Sequence, residues 1–88
     1  MSRASPNDAA ALALRALAAT LSDQRLAARF LSLSGVEASD LRQRADDPVV
    51  LAALLRFLEA HEPDLVAVAA DLGVKPAALV AARRELEP

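Results

Sequence analysis

The stretch PVVLAALLRFLEA, Pro48 to Ala60, constrains this chain more than any other. At 100° per residue Leu51, Leu54, Leu55 and Leu58 share one helix face, and Val50 and Phe57 widen it. Arg56 and Glu59 are the only charges, both on the opposite flank. An apolar arc this broad needs other helices around most of its circumference. The stretch therefore predicts an all-α fold: a compact bundle of five to six short helices around a central helix 48–60, in a single domain 5–87 with residues 1–4 disordered.

The rest of the chain supplies helices to cover that centre. Ser5-Pro6-Asn7-Asp8 reads as a helix start, with Ser5 as cap, Pro6 at the first helical position and Asp8 complementing the dipole. The first helix runs to about Thr20, with Ala10, Leu14, Leu17, Ala18 and Leu21 as its expected core face. A second stripe, Ala9, Ala13, Ala16 and Thr20, suits either close helix approach or exposed alanine chosen for helix propensity. Ser22 is the expected cap of a second helix whose inner face is Leu26, Phe30 and Leu33. Gly35 ends it in a Schellman stop, with Val36 packing back on Leu31. A short helix, Ala38 to Ala45, is held by Leu41 and Ala45 and carries an Asp40–Arg44 pair at i,i+4. Asp47 caps the central helix. Glu62-Pro63-Asp64 restarts the chain into a fifth helix with Leu65, Val68, Ala69 and Leu72 inward. Gly73 and Val74 stop that helix. The last helix runs from near Pro76 toward Leu86, with Leu79, Ala82 and Leu86 inward.

Composition enters as a set of exclusions. A chain of 88 residues buries a modest fraction of its surface, so its stability is marginal or shared with a partner. The net charge of −2 gives nucleic acid no help, and two phenylalanines are its only aromatic residues, which leaves few platforms for stacked bases. The absence of cysteine excludes a disulfide framework and any thiolate site. The longest apolar run, Val49 to Leu55, is far short of a membrane span, so a cytoplasmic protein with no membrane partner is expected. Alanine, leucine and arginine in place of isoleucine and lysine are what GC-rich codons favour, which points to a bacterium.

SGVEASDLRQR, Ser34 to Arg44, aligns with LGVKPAALVAA, Leu72 to Ala82, and ALRAL, Ala13 to Leu17, with LLRFL, Leu54 to Leu58. The halves read as two copies of a helix, helix, short-helix unit with an internal pseudo-twofold. The succession Arg29-Phe30-Leu31, Ser34-Gly35-Val36, Asp40-Leu41-Arg42, Phe57-Leu58, His61-Glu62 and Leu72-Gly73-Val74 resembles a family of short bacterial proteins, the domain of unknown function DUF3572. The resemblance covers nearly the whole chain and departs at Glu37-Ala38, where that family tends to carry Asp-Pro. It implies a helical fold and a bacterial origin, and no activity.

Three groups of residues are candidates for function. Arg25, Arg29, Arg42 and Arg44 could form a basic patch, with a solvated face as the bland alternative. Leu12, beside Arg15, has no inward role on its helix, and joined to Val49 or Val66 it would make a partner surface. The segment Leu65 to Arg84 has the spacing of a helix-turn-helix in which Lys75, Arg83 and Arg84 would touch phosphate. Against that, Ala77, Ala78 and Ala81 stand where base-reading side chains would be, and Asp71, Glu85 and Glu87 oppose the cations. His61-Glu62-x-Asp64 is the only metal-capable cluster, and one histidine reads better as a structural side chain at the end of the central helix. No catalytic, cofactor or metal residue is expected. The leading expectation is a non-enzymatic protein-protein interaction module whose partner is an unknown protein or a second copy; the alternative is a small DNA-binding regulator.

Overall fold

The computed structural model describes residues 6–87, so the expected Ser5 cap and the 1–4 terminus lie outside it. Six helices follow one another: α1 Pro6–Ser22, α2 Gln24–Ser34, α3 Ala38–Gln43, α4 Pro48–Glu59, α5 Glu62–Leu72 and α6 Pro76–Leu86. No strand occurs among the described residues. The radius of gyration, 12.0 Å, equals the roughly 12 Å of one compact domain of this length.

The central stretch folds as its pattern requires. Asp47 caps α4 by accepting from the Val49 amide at 2.9 Å, and Pro48 enters where no N–H is needed. Leu54, Leu55 and Leu58 are wholly buried, Leu51 nearly so, and α1, α5 and α6 all pack on this helix.

α1 is turned relative to the expected face. Its inner surface is the small-residue stripe Ala9, Ala13, Ala16 and Thr20, with Leu17 at its edge, a rotation of roughly 100°. Leu14 is 44% exposed and Ala18 is exposed, while Ala10 and Leu21 are half-buried. The cause is volume. α1 lies against both α4 and α6, which bring Leu54, Leu55, Leu58 and Leu79 to the centre, and alanines opposite leucines let the helices interdigitate without strain. Thr20 is buried without penalty because its hydroxyl donates to the Ala16 carbonyl at 2.8 Å.

α1 also runs on through Ser22, whose hydroxyl donates back to Ala18. Asp23, not Ser22, therefore caps α2, accepting from the amides of Arg25 at 2.9 Å and Leu26 at 3.1 Å. A carboxylate is as good a cap as a hydroxyl and adds a charge at the dipole's positive end. The third helix is shorter than expected, ending at Gln43, and Arg44 pairs with Asp47 at 3.5 Å instead of Asp40.

Both glycines stop helices with left-handed backbone, φ 70° at Gly35 and 71° at Gly73, but the stops differ. At Gly73 the amide of Val74 reaches Ala69 O and that of Gly73 reaches Ala70 O, a full Schellman pair. At Gly35 a single bond runs to Leu31 O, and the Val36 amide is taken by the Ser34 hydroxyl, so the expected Schellman stop is the simpler left-handed cap. No atom stands within 4 Å of a Cβ built on Gly73, so Gly73→Ala acts through backbone strain alone. It should lower stability by about 1 kcal/mol, read as a drop in the urea midpoint with unchanged slope.

The internal match between the halves is local. α6 packs broadly on α1 and α4, whereas α3, its counterpart, is anchored to the core through Leu41 and has no comparably broad helix interface. Six residues of helix cannot cover what eleven cover, and the packing has no internal twofold.

Candidate interaction face

The side of α4 turned away from its leucines carries Val49, Ala53, Arg56 and Ala60, which share a stripe at 100° per residue. All four are exposed, Val49 by 71%. A hollow runs along each flank of this ridge. One, of about 470 Å³, lies between α4 and the end of α6 and is lined by Val49, Ala52, Ala53, Arg56, Leu86 and Glu87. The other, of about 300 Å³, lies between α4 and α2, where Phe30, Leu33, Phe57 and Ala60 are its apolar walls. Ala53 and Arg56 belong to both, so the ridge and hollows are one continuous surface.

Leu33 carries this surface onto α2. It lies seven residues from Leu26, within about 20° of it on the helix, and so is in register with the buried pair Leu26 and Phe30. Yet it is 74% exposed, contrary to its expected place in the core. The last turn of α2 thus stands open, lining the same hollow as Phe57 and Ala53. Below it Phe30 and Phe57 meet with ring centroids 5.3 Å apart at 60°, a tilted contact that fixes the floor of the hollow.

Charge on this face is confined. Arg56 pairs with Glu87, and Glu87 also receives Arg83, which pairs in turn with Glu59. Burial pushes the Glu87 carboxyl upward, but the two guanidinium groups outweigh it and hold Glu87 below its ordinary range. The network ties the ends of α4 and α6 and leaves the ridge close to neutral.

A second cluster pins α2 to α5. Asp64, in the first turn of α5, has a side chain 5% exposed and accepts from Arg29 Nη1 at 2.7 Å and from His61 Nδ1 at 2.9 Å. Arg29 also lies over the Phe57 ring, 5.3 Å from its centroid. Burial raises the Asp64 pKa, but the hydrogen bonds and charges of Arg29 and His61 prevail, and the net shift is downward. A carboxylate with a depressed folded pKa stabilises the fold above its unfolded value, near 3.8, and loses that contribution as pH falls through the folded value. Acid unfolding is therefore expected to begin below about pH 4, and Asp64→Asn should flatten that part of the stability profile in denaturant melts at stepped pH.

These contacts show where the expected site residues lie. Arg29 pairs with Asp64 while its side chain stays 40% exposed; Arg25, Arg42 and Arg44 are exposed. The position of Arg29 one turn from Leu26, at the edge of the α2 apolar face, is the sequence signal for its part-buried pairing. Arg15, exposed on α1, donates to the Leu72 carbonyl at 3.1 Å, satisfying the end of α5. Leu12 is half-buried against the core, and the exposed leucine of α1 is Leu14. His61 sits at the cap position of α5: its amide donates to the Leu58 carbonyl at the end of α4, at 3.1 Å, while its imidazole pairs with Asp64. Among the described residues no group of three His, Cys, Asp or Glu could hold a metal ion.

In the helix-turn-helix-like segment the chain turns by 98° between α5 and α6 across a three-residue break. Arg83, expected to touch phosphate, is taken by Glu59 and Glu87; Lys75 and Arg84 are exposed, alongside Ala77 and Ala81. Among the described residues no single helix is long and apolar enough to cross a membrane.

Fold and face together define a small all-α domain with a near-neutral apolar ridge. The chain belongs to the family described as protein of unknown function DUF3572, whose model matches residues 6–88. No curated protein and no solved structure matches it.

Proposed function

We propose that this protein is a non-enzymatic interaction module that works by docking the outer side of α4. The observation that carries this reading is Leu33, a residue of the inner face of α2 that stays 74% exposed at one hollow, while Val49, 71% exposed, lines the other, the two hollows sharing Ala53 and Arg56. Large aliphatics in a contiguous strip mark an association site, whereas single ones are ordinary. The expected basic patch is the less specific surface, since Arg29 on it is paired with Asp64.

Parallel affinity purification of the wild-type chain and Ala53→Arg from the native host, each after crosslinking and identified by mass spectrometry, tests the reading. A protein bound by the wild type and lost from the variant is expected; identical profiles would contradict it. A second reading, duplex DNA binding through 65–84, rests on the right-angle corner of α5 and α6 and on exposed Lys75 and Arg84. Its signature is salt-dependent retention of duplex DNA that weakens on Arg84→Ala, and docking through α4 predicts no such retention.

A further inference from the structure

We infer that the end of α6 is an ionic latch beside the α4 face, whose release opens the hollow next to Val49 and so regulates how much apolar surface that face presents. This rests on the interaction reading above and adds its regulation.

The latch is built from one stripe on each helix. Ala52, Arg56 and Glu59 lie at i, i+4 and i+7 on α4 and so share a face, and Arg83 and Glu87 lie four residues apart at the end of α6. The stripes meet as a chain of four charges: Arg56 to Glu87, Glu87 to Arg83 Nη1 at 2.5 Å, and Arg83 to Glu59. Glu87 is the joint of that chain. It follows the last helical residue in extended backbone, yet a guanidinium from each helix holds its carboxylate and its side chain is only 19% exposed.

What the latch covers is Ala52. That residue is 7% exposed but stands outside the contiguous core, and Leu86 and Glu87 line the same hollow from the α6 side. The buried anchors of α6 are Leu79 and Ala82, and no described residue after Ala82 is buried. The last turn is therefore held by charge and by one half-buried leucine, Leu86. A segment held in this way can open locally while the rest of the fold stands. A network of part-exposed charges keeps it closed at low salt and loosens as salt screens the pairs. Opening joins Ala52 to the exposed stripe of Val49 and Ala53.

Ala52→Cys supplies the only thiol of the chain, and its rate of reaction with a neutral aromatic disulfide, taken relative to Ala53→Cys on the exposed ridge, reports the latch. Raising sodium chloride from about 10 mM to about 1 M shortens the screening length from about 30 Å to about 3 Å. That change should speed the Ala52→Cys reaction about five-fold relative to Ala53→Cys, and adding Glu87→Gln should give the faster rate already at low salt and remove the salt response. Amide exchange at Leu86 and Glu87 in the chain without cysteine should accelerate with salt in parallel, with the amides of α1 and α5 unchanged. A relative rate indifferent to salt, a Glu87→Gln chain as slow as its parent, or faster exchange spread over α1 and α5 overturns the inference. None of these readouts needs a partner, so the latch can fail while an Ala53-dependent protein is still captured from the host, and can stand when none is.

Discussion

Leu55→Ala should cost about 2–5 kcal/mol, read as a large fall in the urea midpoint followed by circular dichroism. Leu55 is wholly buried on α4, where three other helices converge, and the space it fills cannot collapse without moving all of them. A chain of this length has a total stability of about 4–13 kcal/mol, so the loss is a large fraction of what a typical chain would hold. Leu14→Ala, on the open side of α1, should stay within about 0.5 kcal/mol of wild type. Comparable losses from the two substitutions would mean that α1 packs by its leucines after all.

Ala13→Leu carries the same logic in the opposite direction. Ala13 is wholly buried where α1 lies against larger neighbours, and three added carbons have nowhere to go. Overpacking of this kind costs about 1–3 kcal/mol and broadens the native ensemble, so a lowered thermal midpoint with poorer dispersion of methyl resonances is expected. On propensity alone the change should be nearly silent, because leucine is almost as good a helix former as alanine. A melt at or above wild type would place Ala13 on the surface.

These two substitutions mark where the sequence is readable and where it is not. α4 is legible because its buried arc is made of large side chains with one phase, which leaves a single orientation. α1 carries two apolar stripes of different size, and periodicity does not say which neighbour is near enough to want the small one. Caps are legible to within a residue: Asp23 takes the role that Ser22 equally suits, since both precede the same apolar run. The Asp64 cluster brings together residues 35 apart in sequence, so only the edge position of Arg29 hints at it. Leu33 is the most instructive. Its phase is inward, as read from the sequence, but phase says nothing about whether a neighbouring helix reaches that turn, and Leu33 is left 74% exposed.

The ridge is the centre of the functional account, and a photoreactive phenylalanine analogue probes it most directly. Placed at Val49 it should crosslink in the native host with high yield to a protein bound on the α4 face. The same probe at Val66, an aliphatic residue 48% exposed on α5, should give only background. Equal yields at the two positions, or none at Val49, would contradict the assignment of the α4 face as the surface this protein uses.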